Sequence, residues 1–289
     1  MDINQLQGQL DTYLSGVDVE RVAAAVASGT GFGLAVARNH VVTHVGEARV
    51  AMRFVGPAID SGLRVLEVGS GIGLFAGFLR SIDIDVTELE PAGMGFQFIG
   101  EARASLAGYT HPLRHLDIGV EELQRELHGS FDLIFSLNVL EHVADWRIAL
   151  QRCTSVLADG GQMMHAHPNY AVPYEPHFSV PLVPFRPALT ARFLPDRISD
   201  TDTWRSLNWI TARQVKRWCR SNSMKIEFRG GVLAEQLDRL MTDELFRERH
   251  KGFVHRAAEL THRLRLDMLL TLLPSTLTTP VEYSIRRVA

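Results

Sequence analysis

Three glycines at alternate positions, Gly69, Gly71 and Gly73, stand between a short apolar run and an apolar segment that starts at Leu74. This order of residue types indicates a strand, a tight turn and a helix. Because glycine lacks a Cβ atom, a ligand at such a turn can lie directly against the backbone. Glu67 adds a carboxylate just before the turn. The pattern predicts a site for a nucleotide-like ligand.

Further polar residues fall at the ends of the next predicted strands. Glu90 comes 17 residues after Gly73, and a carboxylate there can accept two hydrogen bonds from a ribose diol. Asp117 ends the third strand and can accept from an adenine amino group, with the Ile118 N–H next to it for a ring nitrogen. Asn138 follows the fourth strand. In an open α/β sheet such strand ends meet at one edge, where ligands bind.

The elements that must position these residues alternate between strand and helix from residue 63 onward. Apolar runs predict strands at Arg64–Val68, Asp85–Glu90, Leu113–Leu116, Phe131–Ser136, Gln162–Ala166 and Lys225–Arg229. Helices are predicted at Ala144–Leu157, which Ala158–Gly161 should end, and at Thr211–Arg220, with Thr211 as the N-cap. This alternation predicts a doubly wound α/β sheet.

We expect a single domain over residues 1–289. Its predicted parts are an N-terminal helical extension (1–60), a ligand-binding core (61–167), a proline-rich lid or substrate loop (168–204) and a C-terminal completion of the fold (205–289). In the extension, helical periodicity covers Val17–Ala27 and Leu34–Val55, with a break at Ser28–Gly31. An amphipathic helix is expected over Val232–Leu273.

Over residues 60–167 the chain resembles the class I S-adenosylmethionine-dependent methyltransferases, most closely the small-molecule branch that includes ubiquinone-biosynthesis O-methyltransferases. The segments that carry the resemblance are Leu66–Gly73, Glu90, Asp117, Phe131–Ser136, Val139–Val143 and Val156–Gly161. The resemblance implies a Rossmann-like, seven-stranded, mostly parallel sheet with an antiparallel final strand, an N-terminal helical extension and C-terminal helices. It also implies S-adenosylmethionine as cofactor and S-adenosylhomocysteine as product.

The resemblance further implies which residues line the cofactor. Glu67, Gly69, Ser70, Gly71 and Gly73 would surround its methionine part. The other implied cofactor residues are Glu90 at the ribose, Asp117 and Ile118 at the adenine, and Asn138, whose backbone would meet the methionine end.

Alternatives stay open beside these assignments. A nicotinamide oxidoreductase would also use a glycine turn, but the spacing of dinucleotide-binding sites requires the third glycine one residue later than Gly73, at position 74. A cofactor-binding protein that no longer catalyses and acts through partners would keep the same motifs. Glu88 competes with Glu90 for the ribose, although it lies inside the strand pattern, and Asp117 has an alternative role as N-cap of the segment starting at Val120.

The loop after the fifth strand concentrates side chains that can act on an acceptor. They are His165, His167, Tyr170, Tyr174, Glu175 and His177. A hydroxyl nucleophile needs a base, so we hypothesise that His167 or His177 serves as base or substrate orienter, with Tyr174 as a further catalytic candidate. The alternative is that these groups only bond the loop backbone. His142 is expected to pack at a helix start.

His165 and His167, two positions apart on a strand, could share a metal ion with His177 and Glu175. The loop has no second ligand pair and no cysteine, so no metal is predicted. Aromatic candidates for the acceptor pocket are Trp204, Trp209, Tyr170, Tyr174, Phe178 and Phe185. The predicted reaction is methyl transfer by in-line displacement to a small-molecule or lipid- or glycan-linked acceptor, at a hydroxyl oxygen.

Composition favours an ordinary globular protein of the cytoplasm. Hydrophobic residues make up 46% and charged residues 22% of 289. Residues 1–180 carry 11 Lys and Arg against 21 Asp and Glu, whereas residues 181–289 carry 19 Lys and Arg against 12 Asp and Glu. No nucleic-acid motif accompanies the basic residues, so no nucleic-acid partner is expected. The N-terminus lacks a secretory pattern, and Cys153 and Cys219 lack redox spacing. The basic amphipathic stretch 254–273 is expected to pack on the domain, with a membrane-surface helix as alternative.

Overall fold

The computed structural model describes residues 2–91, 97–107, 109, 112–242, 246–247, 253–263 and 270–288. The strands are β1 (Arg64–Val68), β2 (Asp85–Leu89), β3 (Arg114–Leu116), β4 (Phe131–Leu137), β5 (Leu157–His167), β6 (Tyr174–Glu175), β7 (Val180–Pro181), β8 (Met224–Phe228) and β9 (Val281–Arg287). The sheet that carries the glycine turn has seven strands in the order β3-β2-β1-β4-β5-β9-β8.

The helices, in chain order, are α1 (Ile3–Ser15), α2 (Val19–Thr30), α3 (Leu34–Val55), α4 (Leu74–Ser81), α5 (Gln97–Leu106), α6 (Arg125–His128), α7 (Trp146–Val156), α8 (Asp196–Ser199), α9 (Asp202–Ser206), α10 (Ala212–Ser221), α11 (Val232–Thr242) and α12 (Phe253–Arg263). Short 3-10 turns occupy Gly56–Ala58, Val120–Glu122, Pro187–Phe193 and Ser275–Leu277. Within the described ranges, none of these helices combines the length and apolar character that crossing a membrane requires.

The sheet is built as the alternating pattern predicts. β1 pairs in parallel with β2 and with β4, and β2 pairs in parallel with β3, while β8 and β9 are antiparallel. β1 and β4 are almost wholly buried, which explains why both are nearly continuous apolar runs. The predicted fold class, a doubly wound and mostly parallel seven-stranded sheet with N-terminal and C-terminal helices, is confirmed.

Two compact units divide the chain. One comprises Met1–Val139 and Arg147–Met164, and the other comprises Leu140–Trp146 and His165–Ala289. In the first unit α2 packs against α3 and α5, so the N-terminal helices share a core with the helix that follows β2. In the second unit α10 packs against β8. The Thr211 side chain accepts from the Gln214 N–H at the start of α10, which confirms the predicted N-cap.

The segment after α7 differs from the prediction. Ala158–Gly161 was expected to end a helix, but α7 stops at Val156 and β5 already begins at Leu157. Gly160 has a φ of 75°, as a glycine cap would, yet it lies within the strand. A Cβ on Gly161 would stand 2.9 Å from the carbonyl oxygen of Asp132, so this glycine permits close approach to β4.

Other boundaries moved as well. α1 lies within the predicted helical extension 1–60, although no separate helix was assigned to it. α2 runs through Ser28 to Thr30, because the left-handed residue that ends it is Gly31, with a φ of 75°. The resemblance implied an antiparallel final strand but not the position of β9, where Val281, Tyr283 and Ile285 alternate on the buried face. The loop 168–204 contains the β6–β7 hairpin and short helices.

The long helix expected over Val232–Leu273 is described as α11 and α12, with residues 243–245, 248–252 and 264–269 outside the described part. The stretch 254–273, proposed as a packed or membrane-surface helix, therefore falls only partly within it.

Candidate active site

The glycine turn between β1 and α4 has a left-handed backbone at each glycine. The φ angles are 73° at Gly69, 54° at Gly71 and 78° at Gly73, a region that side chains with a Cβ enter at a cost. The Gly69 N–H donates to the carbonyl oxygen of Leu89 (2.7 Å), which ties the turn to the end of β2. The Gly73 N–H donates to the Ser70 carbonyl (2.9 Å) and closes the turn.

Steric crowding gives a second reason for these glycines. A Cβ on Gly69 would lie 2.2 Å from Val139 Cγ2, and a Cβ on Gly71 would lie 2.7 Å from His44 Cε1. A Cβ on Gly73 would meet Glu88 Oε2 at 3.0 Å. The turn is thus held between its neighbours with no room for a side chain at the three glycine positions.

Glu67 lies beneath this turn with its side chain buried. The Ala76 N–H, in the first turn of α4, hydrogen-bonds to the carboxylate, and Oε2 has no hydrogen-bond partner among the residues that the structure describes. Burial, and next the proximity of Glu88, raise the pKa of Glu67 well above its usual value. A buried acceptor atom left without a donor is uncommon in a native fold and marks a place where a ligand can donate.

Glu90 follows β2 and faces the same turn. Its Oε2 accepts from the Gly71 N–H (2.7 Å). Burial raises the pKa of Glu90, and the Gly71 hydrogen bond and the neighbouring His44 partly oppose that rise. The carboxylate is therefore oriented by the backbone of the turn before any ligand is bound.

Glu88, the alternative to Glu90, has a different environment. Its side chain is almost fully buried and forms an ion pair with Arg103, and His115 Nδ1 lies 3.3 Å from the same carboxylate. Arg103 also donates to the Gly71 carbonyl (2.9 Å). Glu88 and Arg103 thus act as a support of the turn, and sequence reasoning missed Arg103, since nothing distinguishes it from other arginines on a predicted helix.

The N-terminal extension supplies a second residue that sequence reasoning missed. His44 on α3 lies against Gly71, and its Nδ1 is 3.2 Å from Glu47 Oε2. Its ring also lies 5.6 Å from the ring of Phe98 on α5. The extension therefore contacts the glycine turn, but no local pattern in α3 singles out this histidine.

The remaining candidate cofactor residues stand at strand ends. Asp117 is exposed and Ile118 half-buried directly after β3, and the Glu90 N–H donates to the Leu116 carbonyl (3.1 Å) beside them. The 3-10 turn that begins at Val120 has Gly119 as its N-cap, so the capping role considered for Asp117 is not what the structure shows. Asn138 is exposed after β4, in a left-handed conformation with a φ of 52°.

The second unit holds the candidate acceptor-side residues. His177 Nδ1 lies 2.5 Å from Glu175 Oε1, and Glu175 Oε2 accepts from the Phe178 N–H (2.8 Å). Glu175 is fully buried, whereas 26% of the His177 side chain is exposed. A buried carboxylate therefore orients an accessible imidazole, the arrangement expected of a base or a ligand-binding histidine.

His142 was predicted to pack at a helix start, but its ring also contacts two polar side chains. Its Nε2 lies 3.4 Å from His177 Nε2, and its Nδ1 lies 2.7 Å from Ser206 Oγ. Burial, and next the proximity of His177, lower the pKa of His142 to about 3, so the ring is neutral at physiological pH. The carboxylate of Glu141 belongs to the same cluster.

His165 and His167 are placed elsewhere in this unit, and both are fully buried against Tyr283. His167 Nδ1 lies 2.7 Å from the Pro168 carbonyl oxygen, and its Nε2 lies 3.1 Å from the Tyr283 hydroxyl. Burial lowers the pKa of His167 to about 4. Because both ring nitrogens bond to the protein, this geometry supports packing for His167 and favours His177 as the residue that meets an acceptor.

The aromatic candidates for the acceptor pocket do not all lie together. Tyr170, Trp209, Trp204 and Phe178 form a chain of neighbouring rings, with centroids 5.1 to 6.0 Å apart. Phe185 is fully exposed and stands apart from them. Tyr174 lies in β6, and burial raises the pKa of its hydroxyl, so it is protonated at neutral pH.

Comparison with known proteins gives this geometry a family. A family profile described as "Methyltransferase domain" matches residues 45–225. The uncharacterized protein Rv1509 of Mycobacterium tuberculosis is 32% identical over 269 residues, which cover 84% of this chain and 90% of that protein.

A ubiquinone biosynthesis O-methyltransferase of Xanthomonas euvesicatoria pv. vesicatoria is 26% identical over 187 residues, 64% of this chain and 73% of that enzyme. The fold is also that of a crystal structure of an S-adenosylmethionine dependent methyltransferase from Mesorhizobium loti, with a TM-score of 0.50 and 15% identity over 81% of this chain and 95% of that one. The family profile spans more than half of this chain, and the predicted enzyme class and methyl donor are confirmed. The chain belongs to the class I S-adenosylmethionine-dependent methyltransferases.

Proposed function

We propose that this methyltransferase methylates a hydroxyl oxygen of a small-molecule or lipid- or glycan-linked acceptor, and that His177 is the residue that meets this hydroxyl. The observation that carries the proposal is the pair of buried Glu175 and part-exposed His177, joined at 2.5 Å. A carboxylate hydrogen-bonded to Nδ1 fixes the orientation of the ring and leaves Nε2 as the nitrogen that can act on an acceptor. The O-methyltransferase name of the Xanthomonas relative agrees with an oxygen acceptor.

The cofactor side of the proposal assigns a role to each part of the glycine turn. Bound S-adenosylmethionine supplies a methyl group that its sulfonium charge makes electrophilic. Glu67 Oε2, buried and without a donor among the described residues, accepts from the ammonium group of the methionine end. The backbone of Gly69, Ser70, Gly71 and Gly73 lies against that same end, with Asn138 beside it. The Glu90 carboxylate, already aligned by Gly71, accepts from the ribose diol.

Asp117 and Ile118 complete the proposed cofactor site at the adenine. The exposed Asp117 carboxylate accepts from the adenine amino group, and the Ile118 N–H donates to a ring nitrogen. With the cofactor held at three points, the chain supplies mainly alignment for an in-line displacement. The acceptor oxygen would bond to the methyl carbon as the carbon–sulfur bond breaks and S-adenosylhomocysteine leaves, and His177 would take the hydroxyl proton.

The first experiment identifies the acceptor and then removes His177. Panels of phenolic, sugar and lipid-linked hydroxyl compounds are incubated with the cofactor and screened by mass spectrometry for products heavier by one methylene group. With the best acceptor, His177→Ala is expected to lower kcat by about 100-fold or more, because positioned acid–base or ligand groups contribute roughly 10²–10⁴. His128→Ala, at another part-exposed histidine, is the matched control and keeps its turnover.

Calorimetry on the same proteins separates binding from turnover. S-adenosylhomocysteine should bind wild type and His177→Ala with equal affinity, and NAD should bind neither. Full turnover of His177→Ala would remove His177 from the acceptor site. Strong NAD binding without S-adenosylhomocysteine binding would overturn the cofactor assignment. His167→Gln is expected to keep turnover, since that ring is packed against Tyr283.

A further inference from the structure

Three side chains of the second unit bring nitrogen and oxygen ligand atoms together. Glu141, His142 and His177 each contribute one such atom, and the three atoms lie within 4.8 Å of one another. The two histidines meet through their Nε2 atoms, 3.4 Å apart. Sequence reasoning had grouped His177 with His165 and His167 instead, and it predicted no metal.

The other ring nitrogen of each histidine, Nδ1, already bonds to the protein. Ser206 Oγ–H donates to the Thr203 carbonyl (2.9 Å), so the same oxygen accepts from His142 Nδ1–H at 2.7 Å. Glu175 accepts from His177 Nδ1–H. A histidine that binds a metal through Nε2 carries its proton on Nδ1. The two Nε2 atoms therefore stand side by side at a distance that one cation can bridge.

Hydrogen bonds from Asn208 hold the backbone around this cluster. The Asn208 amide donates to the carbonyl oxygens of Leu140 (2.6 Å) and Val143 (2.8 Å), and its N–H donates to the Glu141 carbonyl (2.9 Å). One side chain thus clamps both flanks of Glu141 and His142. Pre-positioned ligands with hydrogen-bonded Nδ1 atoms are the usual outer support of metal-bound histidines.

We propose that Glu141, His142 and His177 bind one divalent metal ion of the zinc class, through a carboxylate oxygen and the two Nε2 atoms. Zinc–nitrogen bonds of about 2.0–2.1 Å in a tetrahedral site place neighbouring ligand atoms roughly 3.4 Å apart. The observed Nε2 separation is 3.4 Å. Two imidazoles and one carboxylate suit zinc rather than magnesium or calcium, which prefer oxygen ligands throughout.

Three protein ligands leave a fourth position on a tetrahedral ion. If the proposed function holds, that position takes the acceptor hydroxyl oxygen, and the positive charge of the ion lowers the pKa of the hydroxyl. With the ion bound, His177 would act on the acceptor through the ion instead of taking the proton itself, and the hydroxyl proton would pass to solvent water. This last step rests on the proposed function, whereas the metal site itself does not.

The test measures metal binding directly on the untagged full-length protein. After treatment with a chelator and removal of the chelator, zinc chloride is titrated by calorimetry, and zinc is counted by mass spectrometry after dialysis. We expect one zinc ion per chain in the wild type. Cobalt substituted for zinc should give visible absorption bands typical of a low-symmetry site with nitrogen ligands. A wild type that binds no zinc or cobalt overturns the proposal.

Variants then identify the ligands. His177→Ala and Glu141→Gln should lose the stoichiometric ion and the cobalt bands, while His128→Ala should keep both. Glu175→Gln, which changes the partner of His177 Nδ1 without removing a proposed ligand, should weaken zinc binding by about 10–100-fold. His177→Ala that binds zinc as tightly as the wild type would refute the site. Circular dichroism and urea unfolding confirm that each variant is folded before its result is counted.

A separate titration keeps this test apart from the proposed function. S-adenosylhomocysteine binding is measured on the metal-free protein, where the glycine turn is intact. If zinc binds and S-adenosylhomocysteine does not, the proposed cofactor site fails and the metal site stands. If S-adenosylhomocysteine binds and zinc does not, the metal site fails alone.

Discussion

Replacing Glu67 by glutamine should affect stability and cofactor affinity in opposite directions. Glutamine keeps the shape of the side chain and an oxygen that accepts from the Ala76 N–H, and it removes the negative charge. The charge is buried next to Glu88, which faces Glu67 across β1 and β2. Without a cofactor, this charge is a cost to the fold; in the proposed cofactor site, it pairs with the ammonium group.

The sign of the stability change follows from the raised pKa. A carboxyl group whose folded pKa is higher than its unfolded value of 4.5 costs stability as the pH rises from 4.5 toward the folded pKa. At neutral pH the glutamine variant avoids that cost, which is about 1.4 kcal/mol for a pKa raised by one unit. We therefore expect Glu67→Gln to be more stable than the wild type by about that amount at pH 7.5, with no gain at pH 4.

The cofactor experiment should give the reverse order. A hydrogen bond between charged groups contributes about 1.5–3 kcal/mol, so Glu67→Gln should bind S-adenosylhomocysteine roughly 10- to 100-fold more weakly. Urea unfolding at two pH values gives the stability, and calorimetry at pH 7.5 gives the affinity. Glu20→Gln, at an exposed carboxylate, is the control and changes neither. A Glu67→Gln protein that is less stable at neutral pH, or that binds as tightly as wild type, refutes the assignment.

Two further predictions concern the same fold. Gly69→Ala combines a positive φ with a 2.2 Å clash against Val139, so it should lower the free energy of unfolding. The loss should be about 1–3 kcal/mol larger than that of Gly62→Ala, because Gly62 has a φ of 86° and no atom near the added Cβ. Equal urea midpoints of the two variants would contradict this. Burial lowers the pKa of His165 to about 3 and of His167 to about 4, so stability should fall as the pH drops from 6.5 toward 4, because only the unfolded chain then gains these protons. The urea midpoint should change less with pH in His167→Gln than in the wild type. The same change with pH in both proteins would argue against a neutral, buried His167 ring.

The glycine turn was predictable because its information is local. Gly69, Gly71 and Gly73 mark a left-handed backbone by residue type alone, and the flanking apolar runs of β1 and α4 mark the strand and the helix. The same holds for the Thr211 cap, whose partner Gln214 is three residues away. Such signals do not depend on the rest of the chain.

The supports of the turn were not predictable, because they depend on packing between distant segments. Arg103 reaches the Gly71 carbonyl from a helix 32 residues later in the chain, and His44 reaches the same glycine from α3. The pairing of His142 with His177 joins residues 35 positions apart through a loop without a regular pattern. Sequence spacing instead drew attention to His165 and His167, whose i, i+2 relation on β5 leads to the core.

Two buried acids stand side by side next to the glycine turn. Glu67 and Glu88 are register partners on β1 and β2, and two carboxylates in such positions repel each other unless a cation lies nearby. Arg103 provides that cation for Glu88. Glu67 Oε2 has no such donor in the part of the chain that the structure describes, so the cofactor's ammonium group would balance the second charge. At one concentration of S-adenosylhomocysteine, the gain in stability on binding should therefore be larger in the wild type than in Glu67→Gln, because the tighter dissociation constant increases it.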